Sequence, residues 1–242
     1  MNICLFGGTF NPIHKGHLVV ARAAVETQGL ERVIFVPTAL SPFKLGEATV
    51  AYHHRFAMVA LATSGDEDFT VSDLEAPLGN SVGPNYSIDT VRRVRKGLRR
   101  SDRLLLLLGA DSWAGIAKWK EADSLLRECE IVVVSRPGYP LEDIVAALPE
   151  GTRRRGQAAQ KRRGGQTLIF GDVTIHVLNE VKVPVSSTEI RNAVSAKKPV
   201  VKYVHPMVAE YIRKTGIYSG NSQDASGISA LSSRKKPKVL QS

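Results

Sequence analysis

Apolar residues fall along this chain in continuous runs more often than in strict alternation. Such runs occupy 2–6 "NICLF", 32–36 "RVIFV", 69–73, 103–108 "RLLLLL", 130–135 "EIVVVS" and 173–178 "VTIHVL". Strands buried on both faces of a parallel sheet have this character. Between the runs, apolar residues recur at helical spacing over 16–28, 53–64, 87–99 and 120–128. The alternation predicts an α/β fold with right-handed crossovers around a mostly parallel sheet. A ligand of such a sheet is expected beyond the carboxyl ends of the strands, in the first βα loop and at the switch point. Two more helices are predicted at the end, over 186–196 and 205–215. In the second, Met207, Val208, Tyr211 and Ile212 share a face and Gly216 supplies the left-handed stop.

Composition narrows the class. The chain has 242 residues, 43% of them apolar, enough to bury a full core. No run of eighteen apolar residues occurs, so no transmembrane helix is predicted. The chain starts directly on strand-like residues, which predicts no signal peptide. Cys4 and Cys129 both lie in apolar segments. They read as buried thiols suited to a reducing, cytoplasmic setting. The net charge of +10 would suggest a nucleic-acid partner if it were spread over the body of the protein. Instead, six basic and no acidic residues lie in 152–166 "TRRRGQAAQKRRGGQ", and a net three charges lie in 219–242, leaving +1 elsewhere. The first segment reads as a loop-like insertion and the second as a disordered basic tail.

Two stretches carry candidate chemistry. In "GGTFNPIHKGHL" (Gly7–Leu18), a glycine pair follows a strand and two histidines lie three apart at the start of a helix. The glycines allow a tight turn and close approach of backbone to ligand. A helix beginning near Gly16 offers free N–H groups and a positive dipole end. His14 and His17 can donate to phosphate oxygens. A metal site would need a third ligand, and the zinc-helix pattern spaces its histidines four apart beside a glutamate. A surface turn with chance histidines stays open on this stretch alone. The second stretch is 184–191 "PVSSTEIR", where Ser186 and Glu189 fit a capping box. Ser187, Thr188 and Arg191 stand beside that helix start, although an ordinary cap with a solvated arginine reads equally well there.

Together the stretches carry a resemblance. The first is similar to the "GGTFDPIHxGH" signature of the nucleotidylyltransferase superfamily, and the second to its "SSTxIR" motif. Within that superfamily the chain most resembles the bacterial nicotinate-nucleotide adenylyltransferases. The likeness continues through "PTALSPFK" (37–44), "NYSIDTVRRV" (85–94), "LLLGADSW" (106–113), "KWK" (118–120), "VVVSRPGY" (132–139) and "HPMVAEYIRKTGIY" (205–218). It covers about 1–150 and 173–218 in the family's order. Asn11 stands where aspartate is common, and Phe43 where a histidine usually precedes the lysine. The 152–166 insertion and the 219–242 tail lie outside the likeness.

The resemblance implies a Rossmann-like, doubly wound, mostly parallel sheet with C-terminal helices, forming one nucleotidylyltransferase domain over 1–218. It implies transfer of AMP from ATP to nicotinate mononucleotide, with Mg²⁺ carried on the ATP phosphates and no protein metal site. It assigns His14, His17, Lys44 and Arg191 to the reacting phosphates. Gly7, Gly8, Thr9, Phe10, Gly109, Asp111, Ser187 and Thr188 would hold ATP. Tyr86, Ser87, Thr90 and Trp119 would hold the mononucleotide, with Trp119 stacked on the pyridine ring. Nicotinamide mononucleotide or pantetheine phosphate is an alternative substrate within the superfamily. The pantetheine-phosphate enzyme is usually shorter and fits "YSIDTV", "KWK" and "SRPGY" poorly. From a different class, a nucleic-acid binder would use the two basic segments. No membrane partner is expected, and a homo-oligomer is compatible with the sequence.

Overall fold

The structure is a computed structural model and describes residues 1–43, 49–77, 83–135, 140–156, 158–162, 165–178 and 185–219. Its strands are β1 (Asn2–Gly8), β2 (Arg32–Pro37), β3 (Phe69–Val71), β4 (Arg103–Gly109), β5 (Glu130–Val134), β6 (Ala158–Arg162), β7 (Gly165–Phe170) and β8 (Val173–Leu178). The helices are α1 (Lys15–Gln28), α2 (Tyr52–Thr63), α3 (Ser87–Arg95), α4 (Ala110–Trp113), α5 (Ala122–Glu128), α6 (Leu141–Ala146), α7 (Glu150–Arg153), α8 (Ser187–Ser195) and α9 (Pro206–Thr215). A 3₁₀ turn spans Ile116–Lys118.

Successive residues of a strand face opposite sides of a sheet, so a strand without polar positions needs cover on both faces. The sheet order β3-β2-β1-β4-β5-β8-β7-β6 provides it for the central strands. Cys4, Phe6, Leu105, Leu107, Val132 and Val134 pack with Ala21 and Ala24 of α1, Met58 and Val59 of α2, Ile190 of α8 and Val208 of α9. Their neighbours Ile3, Leu5, Leu104, Leu106, Ile131 and Val133 pack with Ile88 of α3, Leu125 of α5 and Ile144 of α6. The mostly parallel, doubly wound α/β sheet expected from the sequence is therefore present. Neighbouring β1 and β4 are the switch point, because the crossovers that follow them lie on opposite faces.

Local signals set several element ends. Ser186 and Glu189 close the expected capping box, with Ser186 N–H to Glu189 Oε2 at 2.8 Å and Glu189 N–H to Ser186 Oγ at 3.2 Å. Gly216 ends α9 in the left-handed region, as expected. One segment departs from expectation. The 152–166 stretch, read as a loop, holds the end of α7, all of β6 and the start of β7. β6 pairs antiparallel with β7 in a hairpin at the sheet edge. Its side chains at 158–161 are all exposed, so no buried face marks it as a strand in the sequence. Tertiary pairing forms it instead. The tail from 220 onward lies outside the described residues, and no described helix is long and apolar enough to cross a membrane.

At the amino ends of β4 and β5, Arg103 donates Nε and Nη2 to Glu130 at 3.0 and 2.7 Å. The same carboxylate meets His176 Nε2 at 2.7 Å, while His176 Nδ1 meets Thr167 Oγ1 at 3.0 Å. Burial alone would raise the Glu130 pKa, but bonds from His176 and Arg103 outweigh it and hold the group at about 2. A carboxylate depressed on folding stabilises the fold above its unfolded pKa and loses that contribution as pH falls. Glu130→Gln is expected to cost about 2 kcal/mol at pH 7. Urea unfolding should show the gap from the parent protein shrinking between about pH 4.5 and 2.

Candidate active site

The first loop leaves the switch point at Gly7 and Gly8, and the two glycines have different reasons to be glycine. A Cβ on Gly8 would lie 3.0 Å from the Phe10 ring, whereas a Cβ on Gly7 would meet nothing within 4 Å and would project into open space. Gly8 serves packing; Gly7 leaves its backbone bare toward the cleft. Phe10 then takes a left-handed conformation (φ 47°), and the Asn11–Pro12 peptide is cis. The chain enters α1 with His14 as the extended N-cap residue. The helix start offers fewer free donors than the sequence suggested. Lys15 N–H reaches Tyr203 O at 2.8 Å and His17 N–H reaches His14 O at 2.9 Å. Docking of the chain before α9 uses the first of these.

The histidines are fixed against each other. His14 N–H donates to His17 Nδ1 at 3.2 Å, so a neutral His17 carries its proton on Nε2. The rings stack with centroids 3.7 Å apart, and His17 also lies against Phe10 at 5.1 Å. Burial lowers the His14 pKa to about 4, partly opposed by Glu189. Burial, followed by the nearby His14, pushes His17 well below its ordinary value. Both rings are therefore neutral at pH 7. His17 lines the cleft, while His14 stands behind it with a buried Nδ1 that has no hydrogen-bond partner among the described residues.

Helix α8 closes on this loop from the other end of the chain. Arg191 Nη1 donates to Asn11 O at 2.9 Å, and Ser187 Oγ donates to Pro12 O at 2.9 Å. Arg191 Nη2 also reaches Thr188 Oγ1 at 3.1 Å. Gly7 through Asn11, His17, Ser187, Thr188 and Arg191 thereby line one cleft of about 1040 Å³. At the end of β4, Gly109 is the N-cap residue of α4, and a Cβ there would meet nothing within 4 Å. Asp111 lines the cleft beyond it. Tyr86, Ser87 and Trp119 form its far wall. Thr90 stands behind that wall, buried, with its hydroxyl donating to Glu75 at 2.6 Å. Lys44 lies outside the described residues.

A second depression, near Leu18 and Phe69, is smaller at about 600 Å³. Its cation Arg22 is already paired with Asp66 and Asp68. Among the described residues no three His, Cys, Asp or Glu side chains are grouped to hold a metal ion.

The cytidylyltransferase-like family matches residues 5–193. A curated relative from Pelobacter propionicus, named "Probable nicotinate-nucleotide adenylyltransferase", is 36% identical over 219 residues, covering 90% of this chain and 99% of its own. A relative of the same name from Thermus thermophilus is 37% identical over 218 residues, covering 90% of this chain and all of its own. This chain belongs to that adenylyltransferase family. The fold agrees with the solved nicotinic acid mononucleotide adenylyltransferase of Plasmodium falciparum complexed with NaAD. That structure is 21% identical, with 91% of this chain and 98% of that one aligned at a TM-score of 0.66.

In this adenylyltransferase, two side chains that shape the cleft carried no sequence signal. Arg55 of α2 is 1% exposed, within "HHRFAM". Its Nη1 donates to Thr9 O and Thr38 O, both at 2.7 Å; Nε donates to Val50 O at 2.9 Å and Nη2 to Ala39 O at 3.3 Å. One guanidinium thus ties the loops after β1 and β2 together. Glu75, at the cleft wall, has its pKa raised by burial, with bonds from Thr90 and Thr38 opposing. Neither residue belongs to a motif, since each acts through partners distant in sequence.

The neutral histidines predict a proton linkage. A polyanion beside them favours the charged ring, so binding should raise their pKa values. In the free protein, imidazole NMR signals of His14 should titrate near pH 4, and those of His17 should stay neutral through pH 6. Adding a non-hydrolysable ATP analogue should move both midpoints upward. Titration of either ring near pH 6.5 without ligand would contradict the assignment.

Proposed function

We propose that this chain transfers the adenylyl group of ATP to nicotinate mononucleotide, forming nicotinate adenine dinucleotide and pyrophosphate in NAD biosynthesis. The observation that carries the reading is the convergence of bare Gly7, neutral His17 and Arg191 at the switch point, in a chain of this family. An oxygen of the mononucleotide phosphate attacks the α-phosphorus of ATP. The bond from that phosphorus to the bridging oxygen breaks, and pyrophosphate leaves with the electron pair. The nucleophile is already ionised at pH 7, so the step needs no general base and no covalent intermediate.

What the site must supply is alignment of two anions and stabilisation of charge on the α-phosphate and leaving group. His17 Nε2–H donates to those oxygens while staying neutral, and His14 holds its tautomer through the backbone. Arg191 supplies positive charge from the opposite side. Lys44 is assigned to the triphosphate by family resemblance. Gly7, Gly8, Thr9, Phe10, Gly109, Asp111, Ser187 and Thr188 form the ATP side. Tyr86, Ser87 and Trp119 form the mononucleotide side, with Thr90 supporting them through Glu75. Mg²⁺ enters as part of the metal–ATP substrate, carried on the phosphates.

Purified protein with ATP and Mg²⁺ should release pyrophosphate fastest with nicotinate mononucleotide when nicotinamide mononucleotide and pantetheine phosphate are offered in parallel. Turnover with pantetheine phosphate alone would overturn the reading. His17→Ala should lower kcat by about 10²- to 10³-fold, the range for removing one transition-state donor, while the protein still folds with a melting temperature lowered by the loss of the bond from His14 N–H and of the ring's packing on His14 and Phe10. Gly7→Ala should fold normally, because its Cβ meets no protein atom. It should raise the KM for ATP about tenfold by occupying ligand space.

A further inference from the structure

One aromatic side chain in the cleft has no structural reason to be where it is. Phe43 is 60% exposed, among the few large apolar residues left open to solvent. It belongs to neither core cluster. Its ring neighbours that of Trp119, which also lines the cleft, with centroids 6.2 Å apart and planes inclined by 34°. Trp119 is anchored, because it is partly buried and packs against the core cluster that includes Ile88 of α3 and Leu125 of α5. Both residues line the end of the cleft where Tyr86 and Ser87 stand.

The separation matters. Carbon atoms in contact sit about 3.5 Å apart, so a flat ring held between two parallel rings needs about 7 Å from centroid to centroid. The observed gap falls short of that by less than about 1 Å. A small outward swing of the Phe43 side chain about its χ1 would open it, and Phe43, 60% exposed and in neither core cluster, has no core packing to oppose that swing. A flat ring entering the gap would cover the exposed face of Phe43.

We propose that Phe43 and Trp119 form a two-sided aromatic clamp on the pyridine ring of the mononucleotide, with Trp119 as the fixed wall and Phe43 as the closing one. This rests on the nicotinate mononucleotide reading given above. The chemistry favours that ring over adenine. A pyridine joined to ribose through its nitrogen is a pyridinium cation, and a cation between two aromatic faces is attracted to the ring quadrupoles on both sides. A neutral ring gains stacking alone. The second wall therefore contributes affinity for the charged ring and leaves ATP binding to the phosphate end of the cleft.

Phe43→Leu keeps a shorter apolar side chain and removes the π face; at an exposed position it does not threaten folding. It should raise the KM for nicotinate mononucleotide about tenfold and leave the KM for ATP unmoved. Phe43→Tyr, which restores a ring, should return the KM to the parent value. Quenching of tryptophan fluorescence by nicotinate mononucleotide, measured without ATP, should show the same loss and the same rescue in dissociation constant. An unchanged mononucleotide KM and dissociation constant in Phe43→Leu would overturn the clamp while leaving the enzymatic reading intact. Equal weakening of both substrates would also overturn it, by pointing to a displaced loop instead of a lost ring contact. A parent protein that neither turns over nor binds nicotinate mononucleotide would overturn the enzymatic reading, and the clamp with it.

Discussion

The architecture of the cleft depends on how the far end of the chain is tied to Asn11 and Pro12. Arg191 and Ser187 of α8 donate to the two carbonyls of this dipeptide, and Tyr218, beyond α9, donates its hydroxyl to Asn11 Oδ1 at 2.7 Å. Asn11 is buried, so leaving its polar atoms unpaired would cost on the order of 1–3 kcal/mol each. The loop and the C-terminal helices therefore satisfy each other. The same bonds place Arg191, Thr188 and His17 around one space. Buried Arg55 fastens the loop from beneath, with four backbone carbonyls as acceptors.

These ties bring neutral imidazole and one arginine to the same end of the cleft. Stacked, buried imidazoles resist protonation, so before ligand arrives they do not add two close positive charges to Arg191 and Arg55. They still offer an N–H to an anion. A polyanionic substrate makes their protonated form cheaper at the moment of binding. The chemistry proposed for the site needs only such positioned donors, because its nucleophile arrives ionised.

Much of this could be read from the sequence, for identifiable reasons. The continuous apolar runs marked β1, β2, β4, β5 and β8, because strands covered on both faces cannot hide polar positions. The Ser186–Glu189 box and Gly216 marked helix ends through contacts local in sequence. Other elements left no such mark. β6 has no buried face at the positions described, so its basic, glutamine-containing sequence looked like a loop until β7 paired with it. Thr90 stood within a binding-like motif, yet its hydroxyl turns to Glu75 and supports the wall from behind. Arg55 and Glu75 act through partners 15 or more residues away, apart from Val50, and a lone arginine or glutamate carries no pattern.

By itself, then, the sequence determined the elements whose causes are local: the strand runs, the helix caps, the glycine turn after β1 and the set of phosphate-compatible side chains at two helix starts. Tertiary structure alone decided how those side chains are used. It showed that Lys15 N–H is spent on Tyr203, that His17 keeps its proton on Nε2 and that His14 stands behind it. It also brought Phe43 within reach of Trp119. Each of these depends on desolvation or on a contact between residues far apart in the chain. Those quantities belong to the packed molecule, because a residue's exposure and distant partners exist only once the sheet has closed around them.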